Sequence, residues 1–265
     1  MKENYGQHVF RQDNVKEMYR LELVSETYDF LTEKQLSKVI SRPGMRCLDI
    51  GSGSGSIVNW MSQHPHVREV VAVDQLIDLI AEKFNDFDNV TIIQHDINEA
   101  MDIGTFDVIN IRFVLMHLRE RERILSDLSK LLKPGGWIIV SDIVSPPEDV
   151  EEPLFNQVMS IMWKVLIKSI GTDVNWSQSL KAQFKSLAMV NIKEEVFFPS
   201  LSGGEPMNEF WYLTLTDLKD HMLQDGNLEE QVFDKMLNKL KNGSFTTLSP
   251  GMLTCIGQSR LRLNL

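Results

Sequence analysis

Three glycines at alternate positions, Gly51, Gly53 and Gly55, form the stretch of this chain best suited to bind a small molecule. They follow a short apolar run at 45–50 and precede a helical sequence that starts near Ser54. Glycine lets the backbone approach a ligand closely, and a helix N-terminus presents free N–H groups and a positive dipole end. The stretch therefore predicts a buried strand, a turn and a helix that hold a ligand with an anionic or strongly polar tail.

Two further apolar runs end in carboxylates. Asp74 ends the run at 68–74, where an acidic residue can accept hydrogen bonds from both ribose hydroxyls. Asp96 and Ile97 follow the next run and could hold an adenine by its exocyclic amine and its ring face. Nicotinamide and adenosyl cofactors both fit these positions. The glycine spacing favours the adenosyl cofactor, because the dinucleotide fingerprint requires its third glycine where Ser56 stands.

These residues belong to an ordered set of motifs, which occupies positions 48–55, 73–74, 95–97, 106–108 and 131–136. In order and spacing the set resembles the class I S-adenosylmethionine-dependent methyltransferases, over residues 44 to 142. The segment 112–118, with Trp176 and 257–260, is also similar to bacterial small-molecule methyltransferases of the natural-product type. The resemblance implies an α/β fold with a Rossmann-like, doubly wound, seven-stranded sheet. That sheet would be mostly parallel with an antiparallel last strand, and would carry N-terminal helices and helical cap insertions.

The resemblance also implies roles for single residues. S-adenosylmethionine would be the cofactor and S-adenosylhomocysteine the product, held by Asp49, Gly51, Ser52, Gly53, Gly55, Asp74, Gln75, Asp96, Ile97 and Arg112. Asp49 precedes the glycines and is expected to organise their loop or to meet the cofactor amino group. His117 would face the sulfonium end, where an imidazole of ordinary pKa, about 6.5, could take a proton from the nucleophile as the methyl moves. A packed, hydrogen-bonded core histidine is the alternative interpretation of His117.

The elements that must position these residues follow one rhythm from 44 to 142: strand, helix, strand, helix. Continuous apolar runs predict a parallel sheet covered on both faces, with ligands outside the carboxyl ends of its strands. We expect four parts along the chain. They are an N-terminal helical lid at 1–42, a cofactor-binding core at 43–145, a helical cap insertion with the last core helix at 146–188, and a closing strand pair with inserted helices at 189–265.

The lid and the cap insertions are expected to enclose the substrate with a cluster of large side chains: Tyr19, Met159, Trp163, Trp176 and Trp211. Such a chamber suits a planar or lipophilic acceptor rather than a polymer. Core packing explains each residue equally well, so the prediction concerns the cluster. The nucleophile is left open as oxygen, nitrogen or carbon. The predicted function is methyl transfer to a small, apolar or aromatic metabolite of secondary metabolism.

Composition excludes several other classes. The net charge of −10 opposes an electrostatic grip on nucleic acid. The histidines show no metal-ligand spacing, so no metal is expected. Cys47 and Cys255 lie in apolar runs, which predicts buried thiols in a reducing compartment. No apolar run of about 18 residues and no secretory signal is present, which predicts a cytoplasmic protein without membrane contact. We also expect a monomer or homodimer.

Three other functions remain open at this point. An NAD-dependent oxidoreductase is disfavoured by the glycine spacing and by the antiparallel final strand, and binding of NAD(H) but not of S-adenosylmethionine would favour it. A protein of the same fold could instead use S-adenosylmethionine without methyl transfer, as an electrostatic aid or structural ligand, and the mass of the product would decide. A non-catalytic scaffold would be expected to have degraded glycine and acidic motifs, which are intact here.

Overall fold

The computed structural model describes residues 14–78, 80–147, 152–224 and 228–261. Its strands are β1 (Met45–Ile50), β2 (Val67–Asp74), β3 (Val90–Gln94), β4 (Phe106–Arg112), β5 (Leu132–Val144), β6 (Val190–Phe197), β7 (Ser200–Leu201), β8 (Thr247–Leu248) and β9 (Gly251–Gln258). Seven of them form one sheet in the order β3-β2-β1-β4-β5-β9-β6, and β7 pairs with β8. The pairs from β3 to β5 are parallel, whereas β9 is antiparallel to both β5 and β6. The predicted fold class is confirmed.

The helices are α1 (Asn14–Val39), α2 (Ser56–Gln63), α3 (Arg121–Lys130), α4 (Pro153–Ser169), α5 (Leu180–Ser186), α6 (Pro206–Gln224) and α7 (Glu230–Asn242). Successive residues of β5 pack into different layers, since Ile138 and Val140 join the cluster of α3, α4, α6 and α7 while Ile139 joins that of α2. Burial on both faces explains why the central strands read as continuous apolar runs. Helix α1 contributes Leu31 to the first cluster and Leu36 to the second, so it packs against both layers.

The predicted alternation of strands and helices is incomplete. Among the described residues, the segment between β2 and β3 contains only the short 3₁₀ helix Glu82–Phe84, and no helix connects β3 to β4. The residues from 85 to 89 are mostly Asn and Asp, which favour turns over helices. Likewise, His117 ends the 3₁₀ helix Leu115–His117, and α3 begins only at Arg121.

Parts of the predicted units lie outside the described residues: 1–13 of the lid, 79 of the cofactor-binding core, 148–151 of the cap insertion, and 225–227 and 262–265 of the closing segment. Within the described part, none of the helices is long and apolar enough to cross a membrane. The same part of the chain contains no group of three or more side chains arranged to hold a metal ion. Cys47 and Cys255 are buried free thiols.

Candidate functional site

A cavity of about 630 Å³ lies at the carboxyl ends of the parallel strands. Its floor is made by the segments that follow β1, β2, β3 and β4, and its walls come from α1, α4 and α6. The predicted residues Gly51, Ser52, Gly53, Asp74, Gln75, Asp96, Ile97, Arg112 and His117 all line it, as do Trp163 and Trp211. The sheet thus brings together segments that are far apart in sequence at one edge, as expected for ligand sites in open α/β sheets.

The glycine loop presents bare backbone to this cavity. Gly53 has a φ of +54°, and a Cβ built there would find its nearest neighbours, the methyl groups of Leu21, only at 3.7 Å. A side chain at this position would therefore extend into the space of the cavity, which glycine keeps clear. Gly55 also has a positive φ, +73°, and caps α2, which starts at Ser56 rather than at Ser54. Gly55 does not line the cavity, although it was predicted to hold the cofactor, and a Cβ built on it would meet the Phe84 ring at 2.6 Å. The backbone from Gly51 to Gly53 fits a ligand that lies directly against it.

Asp74 ties this loop to the end of β2. Its Oδ2 accepts a hydrogen bond from the Gly53 N–H at 3.0 Å, and its Oδ1 accepts one from the Leu76 N–H at 3.0 Å. Burial raises the pKa of Asp74 above its ordinary value, while these backbone donors act in the opposite direction. Each carboxylate oxygen can accept a second donor. The carboxylate can therefore bind ligand hydroxyls while it holds the loop.

Asp96 lies at the end of β3, beside Ile97. Its Oδ1 accepts the Asn98 N–H at 2.9 Å and the Asn98 side-chain amide at 2.7 Å. Both bonds use the same oxygen and fix the orientation of the carboxylate. A hydrogen-bond acceptor and an apolar side chain therefore lie next to each other on the cavity wall, where they could meet the exocyclic amine and the ring face of an adenine.

Asp49 lies beneath the loop and not on the cavity wall. Its Oδ1 accepts the Asn110 amide at 2.7 Å, and the Ser52 hydroxyl donates to the Asp49 carbonyl at 3.2 Å. Burial raises the pKa of the Asp49 carboxyl to about 6, against the lowering effect of Asn110. These contacts match the first of its two expected roles, that of organising the loop.

Arg112 lines the cavity, but its guanidinium is held by α1. It donates to Asp29 Oδ1 at 2.7 Å and to Thr32 Oγ1 at 3.1 Å. Ser25 of α1 makes a second link, with its hydroxyl 3.0 Å from that of Ser56 at the start of α2. Helix α1 is thus fastened across the cavity at two points. Sequence reasoning missed Asp29, because one acidic residue on a polar helix carries no distinguishing pattern.

The other end of the cavity is apolar and aromatic. Helix α4 contributes Met162, Trp163 and Leu166, with Ile170 directly after it, and α6 contributes Met207, Phe210, Trp211 and Thr214. The Trp211 ring meets those of Trp163 and Phe210 edge to face, with centroids 5.9 and 4.9 Å apart. Two of the five predicted substrate residues, Trp163 and Trp211, are therefore brought together on this wall.

Three predicted substrate residues are placed elsewhere. Tyr19 is 46% exposed and lies off the face of α1 that lines the cavity. Met159 is buried in the core, one turn before Met162, and does not contribute to the lining. Trp176 is a core residue whose indole N–H donates to Asp142 Oδ2 at 2.8 Å. The position of each residue around its helix and its packing in the core, rather than its type, therefore determine whether it lines the cavity.

His117 is held in the cavity wall, with its Nδ1 2.9 Å from the hydroxyl of Thr172. Burial, together with the positive charges of Arg20 and Arg121, lowers the pKa of His117 to about 3. Arg20 is itself paired with Glu17, donating to both carboxylate oxygens at 2.8 and 2.6 Å. The imidazole is therefore neutral near pH 7.

The chain is similar to known proteins in sequence and in fold. The family described as "Methyltransferase domain" matches residues 48–140. A relative from Idiomarina loihiensis, the ubiquinone/menaquinone biosynthesis C-methyltransferase UbiE, is 32% identical over 180 residues, which cover 62% of this chain and 72% of the relative. The chain belongs to the class I S-adenosylmethionine-dependent methyltransferases. The enzyme class, the cofactor and a small-molecule substrate predicted from the sequence are confirmed for this methyltransferase.

Solved structures agree with the methyltransferase fold. Phosphoethanolamine N-methyltransferase 2 of Haemonchus contortus, in complex with S-adenosylhomocysteine, is 15% identical with a TM-score of 0.53, covering 86% of this chain and 52% of that one. The [4+2]-cyclase SpnF is 15% identical with a TM-score of 0.54, covering 88% of this chain and 81% of that one. At this level of identity the two structures establish the fold of the methyltransferase alone.

Proposed function

We propose that this methyltransferase moves the methyl group of S-adenosylmethionine to an oxygen, nitrogen or carbon atom of a small, largely apolar or aromatic metabolite. The proposal rests on one observation: a single cavity has a polar end and an apolar end. Glycine backbone and carboxylates line the end at β1 to β3, and the side chains of α4 and α6 line the other end with aromatic and methionine groups. A polar nucleoside and an apolar acceptor would fit side by side in that space.

The polar end has the residues that would hold the cofactor. Asp74 would bind the ribose hydroxyls, Asp96 and Ile97 the adenine, and the backbone from Gly51 to Gly53 the amino-acid tail, with Gln75 beside the ribose. When bound, the cofactor supplies an electrophilic sulfonium methyl group. Asp49 would act from beneath, by keeping the loop in shape through Asn110 and Ser52.

In this proposal Arg112 does not contact the cofactor directly, but holds helix α1 in place. Its pair with Asp29 is mostly buried, and it joins the end of β4 to the helix that roofs the cavity. We propose that the pair positions α1, which then contributes Leu21, Val24 and Tyr28 to the enclosed space. Enclosure excludes water and holds the nucleophile in line with the methyl group, which is where much of the rate enhancement of such a transfer arises.

His117 would contribute as a neutral group. A base whose pKa is about 3 accepts protons poorly from an alcohol or phenol near pH 7. We propose that the imidazole, oriented by Thr172, hydrogen-bonds the acceptor and that positioning by the surrounding helices supplies most of the catalysis. The general-base role predicted from the sequence is the alternative, and a pH profile separates the two.

The remaining expectations stay proposals: secondary metabolism, a cytoplasmic location, no contact with membranes or nucleic acid, and a monomer or homodimer. The negative net charge supports the absence of a nucleic-acid partner. The four-part division of the chain is likewise a proposal. It is supported by the position of α1 over the cavity and by the walls that α4 and α6 provide.

The deciding experiment is product analysis by mass spectrometry. The enzyme is incubated with S-adenosylmethionine and a panel of aromatic hydroxyl, amino and active-carbon compounds. Quinone-type rings are included because the relative from Idiomarina loihiensis is named as a C-methyltransferase of quinone biosynthesis. Methyl transfer predicts that one acceptor gains the mass of a CH₂ group while S-adenosylhomocysteine appears in equal amount. An altered product with intact cofactor would instead establish use of the cofactor without methyl transfer.

A further inference from the structure

Helix α1 turns one continuous face towards the cavity. The residues of that face recur at three- and four-residue spacing, as one stripe of a helix does: Glu17, Arg20, Leu21, Val24, Ser25 and Tyr28. Glu17 begins the stripe, and 15% of its side chain is exposed. Among the described residues that α1, α4 and α6 contribute to the lining, Glu17 is the only acid and Arg20 the only cation. The helical walls therefore present one ion pair to the cavity.

The ion pair of Glu17 and Arg20 is more buried than a comparable pair on the surface. Arg123 and Glu120 have the same three-residue spacing, and their side chains are 46% and 57% exposed. The side chain of Arg20 is only 7% exposed. Removing an ion pair from water is unfavourable, and hydrogen bonds to its remaining lone pairs are needed to offset the cost. A ligand in the cavity can supply such a bond.

The pair lies at the apolar end of the cavity. The Arg20 guanidinium is 5.3 Å from the ring centroid of Phe210, which in turn is 4.9 Å from that of Trp211. The positive charge of Arg20 also contributes to the lowered pKa of His117. The carboxylates proposed for the cofactor follow β2 and β3 instead, on the floor of the cavity. Glu17 is therefore the acidic group of the proposed acceptor site.

The carboxylate of Glu17 has room for one more kind of partner, a hydrogen-bond donor. Each of its oxygens accepts one bond from Arg20, at 2.8 and 2.6 Å, and a carboxylate oxygen can accept two. The guanidinium of Arg20 is engaged by this carboxylate and by the ring of Phe210. The pair as a whole is neutral, and an anionic ligand would be repelled by Glu17. The arrangement therefore favours an uncharged O–H or N–H group.

We propose that Glu17 is a specificity-determining residue whose carboxylate accepts a hydrogen bond from an uncharged hydroxyl or amino group of the methyl acceptor. The acceptor class is then an aromatic or apolar ring compound with such a donor, bound against the rings of Phe210 and Trp211. The inference rests on the proposed function, because it takes the apolar end of the cavity as the acceptor site. A site built around a hydrogen bond to the substrate discriminates against analogues that lack the donor.

The test uses two probes of similar shape: 2-naphthol, which has an O–H donor, and 2-methylnaphthalene, which has none. Equilibrium dialysis with saturating S-adenosylhomocysteine gives the Kd of each probe. Glu17→Gln keeps the shape of the side chain but replaces the carboxylate by a neutral amide. It should weaken 2-naphthol binding about fivefold to tenfold, the difference between a hydrogen bond to a charged acceptor and one to a neutral acceptor. Binding of 2-methylnaphthalene should not change.

Two further measurements sharpen the test. The anion 2-naphthoate should bind the wild type more weakly than 2-naphthol, and Glu17→Gln should shift this preference towards 2-naphthoate, because it removes the negative charge beside Arg20. Glu26→Gln is the matched control, since Glu26 is an exposed carboxylate of the same helix that does not line the cavity. It should change none of the three Kd values.

An equal change for both neutral probes in folded Glu17→Gln, or no change, would overturn the role of Glu17 and leave the proposed function intact. Tighter binding of 2-naphthoate than of 2-naphthol to the wild type would also overturn it. If Glu17→Gln does not fold, a crystal structure of the wild type with 2-naphthol decides: a naphthol oxygen bonded to a Glu17 carboxylate oxygen supports the proposal, and a ring bound elsewhere refutes it. If the wild type binds S-adenosylhomocysteine in calorimetry but neither neutral probe, the apolar acceptor class fails together with the role of Glu17.

Discussion

Replacement of Asp74 by alanine is the perturbation that most sharply probes the polar end of the cavity. The carboxylate already accepts two backbone N–H groups, from Gly53 and Leu76, and retains capacity for ligand donors. A hydrogen bond to a charged group contributes about 1.5–3 kcal/mol. Asp74→Ala should therefore raise the Kd for S-adenosylmethionine about 10-fold to 150-fold.

Part of this loss would come from the loop and not from the ribose. Asp74→Asn separates the two contributions, since an amide keeps one acceptor oxygen and the shape of the side chain but loses the charge. We expect an intermediate Kd for this variant. Asp234→Ala is the matched control, because Asp234 is an exposed carboxylate that pairs with Lys219 and does not line the cavity.

Isothermal titration calorimetry with S-adenosylmethionine measures these affinities, and thermal unfolding of each variant checks that it is folded. The ribose assignment is refuted if folded Asp74→Ala binds as tightly as the wild type. It is refuted equally if the control variant loses the same affinity, since the effect would then reflect net charge rather than a contact.

Three further predictions concern catalysis, the loop and the roof. Because the pKa of His117 is about 3 in the folded chain against 6.5 ordinarily, its contribution to stability is present above pH 6.5 and is lost as the pH falls towards 3. In urea titrations, His117→Asn should lose less stability than the wild type over this pH range. The kcat of the wild type should show no titration of His117 from roughly pH 5 to 8. A bell-shaped pH profile of kcat that His117→Asn abolishes would instead show that His117 acts as a general base. Gly55→Ala should lower the free energy of unfolding by about 2–4 kcal/mol, because the new Cβ strains the backbone and meets the Phe84 ring. Gly44→Ala is the control, since its surroundings are open, and it should lower this free energy by only about 1–2 kcal/mol. Equal losses in the two variants would contradict the contact with Phe84. In a double-mutant cycle, the effects of Arg112→Ala and Asp29→Ala on the free energy of unfolding should be coupled by about 1–2 kcal/mol. Each variant should also show faster hydrogen exchange in α1. Additive effects would show that the pair does not hold the helix in place.

The grouping of the candidate cofactor residues at one edge of the sheet could be predicted, because its signals are local. The glycines, Asp74 and Asp96 each adjoin a strand, and parallel strands place their carboxyl ends at one edge whatever the intervening segments do. That is why the missing helices between β2, β3 and β4 did not disturb the prediction. The order of motifs along the chain was sufficient to assign the sheet.

The side chains that line the apolar end of the cavity depend on contacts that no local pattern encodes. Tyr19 and Trp176 have the right residue types, but the phase of α1 and a bond to buried Asp142 place them away from the cavity. The link from Arg112 to Asp29 joins residues far apart in the sequence.

The central claim is that the nucleoside lies along the edge where β1, β2 and β3 end. A crystal structure with S-adenosylhomocysteine tests it most directly. We predict the ribose at Asp74, the adenine beside Asp96 and Ile97, and the amino-acid tail against the backbone of Gly51 and Gly53. Density for the nucleoside at any other place, or its absence from crystals of protein that binds it in solution, would contradict the account.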